Sequence, residues 1–260
     1  MFKKSRPVDI NFPIIDMHTH ILWGIDDGCK SLEMALNMLK IAYLNGTRII
    51  VATPHNMPGK GDADPEVVRT LIDRLKKEAY NNRVDVEILP GCEVYYREDC
   101  LDLLEEEKIL TMNGTSLVLV EFEPMADKHY IIASLRNLIS LGYEPILAHV
   151  ERYARLNEKN DEGIAQIRTM GCRVQVNGDS VIGKIGHEIQ KQVKRLIKKG
   201  LVDFVASDAH RDTRRNTDLK ECAEYIMKNF GYDTARKLMY SNPLKYLEIE
   251  RFSNEREQEG

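Results

Sequence analysis

The sequence has no uninterrupted apolar run longer than four residues, whereas a membrane-spanning helix needs about 20 apolar residues and a signal-peptide core about 7–15. We therefore expect neither a membrane span nor classical secretion. A C-x-x-C pair is also absent, and the cysteines are scattered and odd in number. They are Cys29, Cys92, Cys100, Cys172 and Cys222. This pattern is typical of reduced thiols in a cytoplasmic protein.

Positive charge is not in excess, because 37 Lys and Arg residues stand against 41 Asp and Glu residues, for a net charge of -4. A protein that binds a phosphate backbone needs a basic surface, so we predict no nucleic-acid partner. With 43% hydrophobic and 30% charged residues, the composition is that of a globular protein. We assign residues 14–252 to a single domain, residues 1–13 to an N-terminal arm and residues 253–260 to a charged tail.

Short β-branched apolar runs alternate with longer amphipathic stretches, the pattern of strand–helix–strand units. The predicted strands are 14–17, 48–53, 86–89, 117–122, 144–148, 173–176 and 202–206. The predicted helices are 31–44, 65–80, 129–141, 158–170, 187–199 and 217–229. Gly46, Gly142, Gly171, Gly200 and Gly231 stand where helices should end. We predict a seven-stranded α/β barrel, with a doubly wound open sheet as the competing architecture.

Both architectures place their chemistry at the carboxyl ends of the strands. Side chains of the types that bind metals lie at or just past the ends of six of the seven predicted strands. They are His18, His20, His55, Glu93, Glu121, His149, Asp208 and His210. Each has an ordinary structural explanation when taken alone: incidental histidines, a helix N-cap at Asp208, or salt bridges for the glutamates. Their joint occurrence favours a shared metal centre.

Imidazole and carboxylate ligands without thiolate favour Mn²⁺, Fe²⁺ or Zn²⁺ over a structural zinc site. There are more candidate ligands than one ion can use, so we expect two or three ions. Such clusters polarise phosphoryl oxygens and convert water into hydroxide at neutral pH. The pattern therefore predicts phosphoester hydrolysis.

The ordered motifs resemble the PHP (polymerase and histidinol phosphatase) superfamily, and within it the metal-dependent protein tyrosine phosphatases encoded with bacterial capsule and exopolysaccharide genes. The motifs are Asp16-Met17-His18-Thr19-His20, Asp26-Asp27-Gly28, Ala52-Thr53-Pro54-His55, Gly91-Cys92-Glu93, Ala148-His149-Val150-Glu151-Arg152, Gln175-Val176-Asn177 and Ser207-Asp208-Ala209-His210. The resemblance implies a distorted (β/α)7 barrel of the TIM-like kind, the PHP fold, that holds three metal ions, most often manganese.

Carried over by motif, the resemblance implies three ligand sets. His18, His20, Glu93 and Asp208 hold one ion; Glu93, Glu121 and His149 hold a second; Asp27, His55 and His210 hold a third. It further implies that Arg152 and Arg215 contact the phosphate, with Arg214 as an alternative to Arg215. Trp23, Tyr95, Tyr96 and Tyr153 either line a phosphotyrosine pocket or pack in the core.

The resemblance implies hydrolysis of O-phosphotyrosine by direct attack of a metal-bridging hydroxide. The implied substrate is the tail of a bacterial tyrosine autokinase that regulates capsular or exopolysaccharide synthesis. A thiolate phosphatase needs Cys-x5-Arg, which no cysteine here provides. Three alternatives stay open: a PHP-type phosphoesterase acting on a small metabolite such as histidinol phosphate, a related amidohydrolase or deoxyribonuclease, and a catalytically inactive binding module.

Overall fold

The computed structural model describes residues 10–57, 59–61 and 63–250. Most of the predicted N-terminal arm and the whole of the predicted tail at 253–260 lie outside the described residues. No helix among the described residues is both long and apolar enough to cross a bilayer.

Nine parallel strands lie within the described residues. They are β1 (Ile14–Thr19), β2 (Thr47–Ala52), β3 (His55–Asn56), β4 (Glu87–Pro90), β5 (Glu93–Tyr95), β6 (Leu117–Glu121), β7 (Glu144–Leu147), β8 (Arg173–Asn177) and β9 (Phe204–Ala206). Their hydrogen-bonded order is β1-β2-β4 in one sheet and β3-β5-β6-β7-β8-β9 in the other. All seven predicted strands are therefore present, and β3 and β5 are additional.

The parallel strands curl, so that the first and the last strand meet. The amide of His20 donates to the carbonyl of Ala209 at 2.8 Å, and the amide of Asp208 donates to the carbonyl of His18 at 2.9 Å. The two ends of an open doubly wound sheet would lie apart, so this contact disfavours that alternative. It also brings the two His-containing motifs side by side.

Ten α-helices lie within the described residues. They are α1 (Leu32–Leu44), α2 (Pro65–Asn81), α3 (Cys100–Glu105), α4 (Lys128–Ser140), α5 (Glu158–Thr169), α6 (Gly178–Ile182), α7 (His187–Lys198), α8 (Lys220–Phe230), α9 (Tyr232–Arg236) and α10 (Asn242–Tyr246). Side chains cap three of the long ones: Ser31 accepts from the amide of Met34, Asp64 from Glu66 and Val67, and Asp127 from His129 and Tyr130. All six predicted helices are confirmed.

The predicted helix 217–229 begins later than expected, at Lys220. The hydroxyl of Thr217 donates to the carbonyl of Met38 at 2.6 Å, which ties this residue to α1. The carboxylate of Asp218 then accepts from the amide of Lys220 at 3.0 Å, as a residue ahead of a helix does.

Two apolar layers surround the strands. The inner layer consists of strand side chains that face the interior, including Met17, Val51, Leu119 and Phe204, and Leu247 after α10 packs against them. The outer layer lies between strands and helices. Side chains alternate between the two faces of a strand, so the inner layer continues at the carboxyl ends into polar residues. These polar residues form the candidate site.

Candidate metal centre

All nine predicted metal ligands come together at the carboxyl ends of the strands. Four belong to strands themselves: His18 to β1, His55 to β3, Glu93 to β5 and Glu121 to β6. The other five follow β1, β7 and β9. They are His20, Asp27, His149, Asp208 and His210. Apart from Asp27, all of these residues are buried.

Four of these residues form a first group around one point. Nε2 of His18 and Nε2 of His20 lie 3.2 Å apart. Oε2 of Glu93 lies 3.2 Å from the His18 nitrogen and 3.1 Å from the His20 nitrogen. Oδ1 of Asp208 lies 3.6 Å and 3.5 Å from the same two nitrogens. This is the set that the resemblance implied for one ion.

A second group lies on the other side of Glu93. Nε2 of His149 is 2.8 Å from Oε1 of Glu93 and 3.6 Å from Oε2 of Glu121. Nδ1 of His55 also faces this group, at 3.1 Å from Oε2 of Glu93 and 3.1 Å from Oε1 of Glu121. His55 was expected only in the third set, and its ring instead faces two sets at once.

The third group contains the other ring nitrogen of His55, Nε2. Oδ1 of Asp27 is 3.5 Å from Nε2 of His55 and 3.5 Å from Nε2 of His210. The ligand atoms of His20, Asp27, His55 and His210 all lie within 4.8 Å of one another. The Asp27 side chain is 58% exposed, so the third group is the one that opens to solvent.

Two buried candidate ligand atoms of the described residues lack a hydrogen-bond partner, whose place a divalent cation could take. Among the described residues, neither Nδ1 of His55 nor Oε1 of Glu121 has a hydrogen-bond partner, although both atoms are buried. Buried polar atoms without a partner are costly. A cation between these two facing atoms would satisfy both, and imidazole with carboxylate is the donor chemistry of Mn²⁺, Fe²⁺ and Zn²⁺.

Hydrogen bonds behind the ligands direct their free nitrogens inward. Nδ1 of His20 lies 2.8 Å from Oδ2 of Asp26, whose side chain is fully buried. Nδ1 of His210 lies 2.9 Å from the carbonyl of Asp208. Because both partners only accept, each histidine in its neutral form carries its proton on Nδ1 and offers Nε2 as a candidate ligand. The sequence interpretation missed this role of Asp26, because an acidic pair between two glycines is typical of an ordinary turn.

The electrostatics of the centre also favour a cation. Burial lowers the pKa of His20, but hydrogen bonds to Asp208 and other carboxylates raise that pKa well above its ordinary value. Burial raises the pKa of Glu93, but the facing imidazoles, His18 first, hold it well below its usual range. Burial and the neighbouring His20 lower the pKa of His210 to about 2, so His210 stays neutral. Protons and metal ions compete for these lone pairs.

Two arginines meet beside the first group. Nη2 of Arg152 lies 2.6 Å from Oδ2 of Asp208, and Nη2 of Arg215 lies 2.9 Å from the same oxygen. Their side chains are 39% and 43% exposed, so both side chains are partly open to solvent beside the first group. Arg214 is exposed, and among the hydrogen bonds and ion pairs of the described residues none joins it to Asp208, whereas the neighbouring Arg215 contacts that carboxylate.

Two of the four aromatic residues named above lie in the core. Tyr96 and Tyr153 are buried, and the hydroxyl of Tyr153 accepts from the amide of Phe122 at 3.1 Å. These two tyrosines therefore pack in the core. Trp23 and Tyr95 are half-buried.

Gly28→Ala is expected to lower metal affinity at this centre. A Cβ at this position would lie 2.4 Å from Cβ of His20 and 2.6 Å from its carbonyl oxygen. Relief of such overpacking costs about 1–3 kcal/mol, and the movement displaces a ligand. Mn²⁺ titration and thermal melting measure the two effects. Gly46→Ala is the control. At φ +91° an alanine strains the backbone, but its Cβ meets no neighbour among the described residues and lies at the other end of the strands, so it lowers stability without moving a candidate ligand. Equal metal affinity in both variants would contradict the expectation.

Comparison with known proteins identifies the family of this chain. Residues 14–248 match the family model for capsular polysaccharide synthesis, CpsB/CapC. The chain is 34% identical over 234 residues to the tyrosine-protein phosphatase CpsB of Streptococcus agalactiae, covering 88% of this chain and 96% of that one. It is 31% identical over 218 residues to the tyrosine-protein phosphatase YwqE of Bacillus subtilis, covering 84% and 85%.

A solved structure gives the same result in three dimensions. It is described as YwqE from Bacillus subtilis and CpsB from Streptococcus pneumoniae, unique metal-dependent tyrosine phosphatases. It superposes with a TM-score of 0.84 at 30% identity, covering 92% of this chain and 96% of that chain. The family expected from the sequence motifs is thereby confirmed. The chain belongs to the CpsB/CapC family of capsular polysaccharide synthesis proteins.

Proposed function

We propose that this protein is a metal-dependent protein tyrosine phosphatase that hydrolyses O-phosphotyrosine. The observation that carries the proposal is the position of Glu93, whose two carboxylate oxygens contact imidazoles of His18, His20, His55 and His149 at 2.8–3.2 Å. A carboxylate in the middle of four histidines is suited to bridge two cations. Relatives named tyrosine-protein phosphatases, at 31–34% identity, support the same activity.

The three groups described above would hold the ions. Divalent ions bound there supply Lewis acidity and a hydroxide nucleophile at neutral pH. Arg152 and Arg215 bind the phosphate, because their exposed guanidinium groups offer N–H donors beyond those used on Asp208. Developing negative charge on the equatorial oxygens is stabilised by the same donors. The half-exposed Asp27 adds a ligand on the solvent side of the centre, where the substrate enters.

Manganese is our choice among the ions that fit the donor set, with Fe²⁺ and Zn²⁺ as alternatives and two or three ions in total. The support is chemical: the proposed ligands are four carboxylates and five imidazoles, with no thiolate among them. Carboxylates favour harder ions such as Mn²⁺, while imidazoles also suit iron and zinc.

We also propose that the strands make up a seven-stranded barrel. β2 and β3 are separated by Thr53 and Pro54, and β4 and β5 by Gly91 and Cys92. The amide of Glu93 donates to the carbonyl of Pro54 at 3.0 Å, so the two breaks lie side by side. If each pair is counted as one interrupted strand, the nine strands become the seven expected from sequence. The interruptions turn His55 and Glu93 toward the centre.

The proposed substrate is the phosphotyrosine-bearing tail of a bacterial tyrosine autokinase in the cytoplasm, acting in capsular or exopolysaccharide synthesis. The description of the matched family, capsular polysaccharide synthesis, supports this context. The solvent-open third group and the two exposed arginines suit a protein-borne phosphate that approaches from outside.

A side-by-side assay tests the proposal. Protein loaded with Mn²⁺ is given a phosphotyrosine peptide and, separately, histidinol phosphate, each with and without chelator. We expect chelator-sensitive release of phosphate from the peptide at the higher kcat/KM. Preference for histidinol phosphate would instead favour the small-metabolite phosphoesterase, and activity on neither compound would favour the inactive module.

Cys92→Ala is expected to leave kcat within about twofold of the parent, because the thiol lies beside the metal ligand Glu93 without taking part in the reaction. Cys92 is 1% exposed, and burial, followed by the charge of Glu93, raises its pKa well above the usual value. A thiol of this kind is not a nucleophile. Phosphate release at saturating substrate measures the effect, and loss of activity in this variant alone would support a thiolate mechanism.

A further inference from the structure

Two buried amides on β8 lie behind the metal ligands. Gln175 and Asn177 are separated by one residue, so both side chains lie on the same face of the strand. Gln175 is 0% exposed and Asn177 is 7% exposed. Neither side chain is among the nine proposed ligands. We call these two residues the amide bridge.

The amide bridge links His149, after β7, to Asp208, after β9, through a continuous chain of hydrogen bonds. The backbone amide of His149 donates to Oε1 of Gln175 at 2.7 Å. Nε2 of Gln175 donates to Oδ1 of Asn177 at 2.8 Å. Nδ2 of Asn177 donates to Oδ2 of Asp208 at 2.7 Å. A backbone N–H only donates, so the His149 amide fixes the orientation of both side-chain amides.

The same orientation selects the tautomer of His18. Nδ1 of His18 lies 3.3 Å from Oε1 of Gln175. Because that oxygen only accepts, Nδ1 of His18 carries the proton and Nε2 keeps its lone pair. Nε2 is the nitrogen that faces Glu93 and Asp208 in the first group.

The bridge also holds an unusual backbone at His149. This residue has φ 34° and ψ 54°, the left-handed region, which costs a non-glycine residue about 1–2 kcal/mol. Its amide makes the short bond to Gln175, and its Nε2 lies 2.8 Å from Glu93. Gln175 therefore favours the backbone conformation that presents His149 to the second group.

We propose that Gln175 and Asn177 are positioning residues that hold the ligands of two ion positions as one unit. The bridge touches His18 and Asp208 of the first group and His149 of the second group, so its loss weakens both positions together. The third group, with Asp27, makes no contact with the bridge among the hydrogen bonds of the described residues. This inference rests on the proposed metal centre.

The test is calorimetric titration of Mn²⁺ into metal-stripped protein. Gln175→Met keeps the length of the side chain and removes its hydrogen bonds. We expect about 10–100-fold weaker binding at more than one ion position, the usual effect of losing a partner behind a metal ligand. Gln190→Met is the matched control, because Gln190 on α7 bonds to the carbonyl of Val181 and the hydroxyl of Tyr225 away from the ligands. The control should bind Mn²⁺ as the parent does.

A second variant separates positioning from folding. Asn177→Ala removes the donor to Asp208 and keeps Gln175, so it serves even where Gln175→Met fails to fold. In the Gln175→Met background, Asn177→Ala should cost less affinity than it does in the parent, because the bridge is already broken. Parent-like Mn²⁺ binding by either folded variant, or equal losses in the Gln190→Met control, would overturn this inference but not the proposed function. A parent chain that binds no Mn²⁺ would overturn the proposed function as well.

Discussion

Glu93→Gln is expected to lower both Mn²⁺ affinity and kcat by about 10²–10⁴-fold. Glutamine preserves the shape of the side chain but removes the negative charge that faces four imidazoles, and it places an NH₂ group where an oxygen ligand stood. Removal of one partner from a buried charged set costs about 3–5 kcal/mol, and each 1.36 kcal/mol is a factor of ten. Calorimetry with Mn²⁺ and steady-state kinetics on a phosphotyrosine peptide give the two numbers.

Glu123→Gln is the matched control for this change. Glu123 lies two residues after the proposed ligand Glu121 and is exposed, and it lies outside the three ligand groups. We expect parent-like binding and turnover in Glu123→Gln. If Glu93→Gln retained Mn²⁺ binding while Glu123→Gln lost it, the assignment of Glu93 and Glu121 as ligands would be wrong.

Arg152→Ala is expected to lower kcat/KM for a phosphotyrosine peptide by about 10²–10³-fold, the usual cost of removing one donor to transition-state charge. Mn²⁺ affinity should change less, because Arg152 contacts Asp208 only through Oδ2, whereas Oδ1 faces the histidines. Arg152→Lys should restore part of the activity, because an ammonium group supplies the charge without the planar fork. Kinetics and calorimetry on the same preparations separate the two effects.

Arg155→Ala controls for loss of an exposed arginine on the same loop. Its side chain is 48% exposed and lies 3.3 Å from Asp127, away from Asp208. We expect kcat/KM within about twofold of the parent. A loss of less than tenfold in Arg152→Ala would show that phosphate binding depends on other groups, with Arg215 the first to examine.

The sequence predicted the strands well, and it predicted which candidate ligands would lie together, for one physical reason. An apolar β-branched run predicts a buried strand, and the candidate ligand side chains lie at the carboxyl end of that run. His18, Glu93 and Asp208 could therefore be named as candidate ligands without any structure. The sequence also predicted the helix starts at Ser31 and Pro65, because capping signals are local.

The remaining features depend on contacts between distant parts of the chain. The two nitrogens of His55 face two groups because β3 pairs with β5, and that register is not visible in the sequence. Asp26 is a partner of His20 only because the loop after β1 folds back over the ring. The proposed role of Gln175 depends on distant segments, because its partners are His18 on β1, His149 after β7 and Asn177 on its own strand. Short helices such as α3 and α6 are too brief for periodicity to reveal.

The central claim is that side chains from separate strands jointly hold several divalent cations, and crystals grown with Mn²⁺ test it most directly. Anomalous scattering at the manganese absorption edge should give one peak among His18, His20, Glu93 and Asp208 and another between Glu93, Glu121 and His149. The absence of peaks at both positions, with the imidazoles turned away from Glu93, would contradict the account.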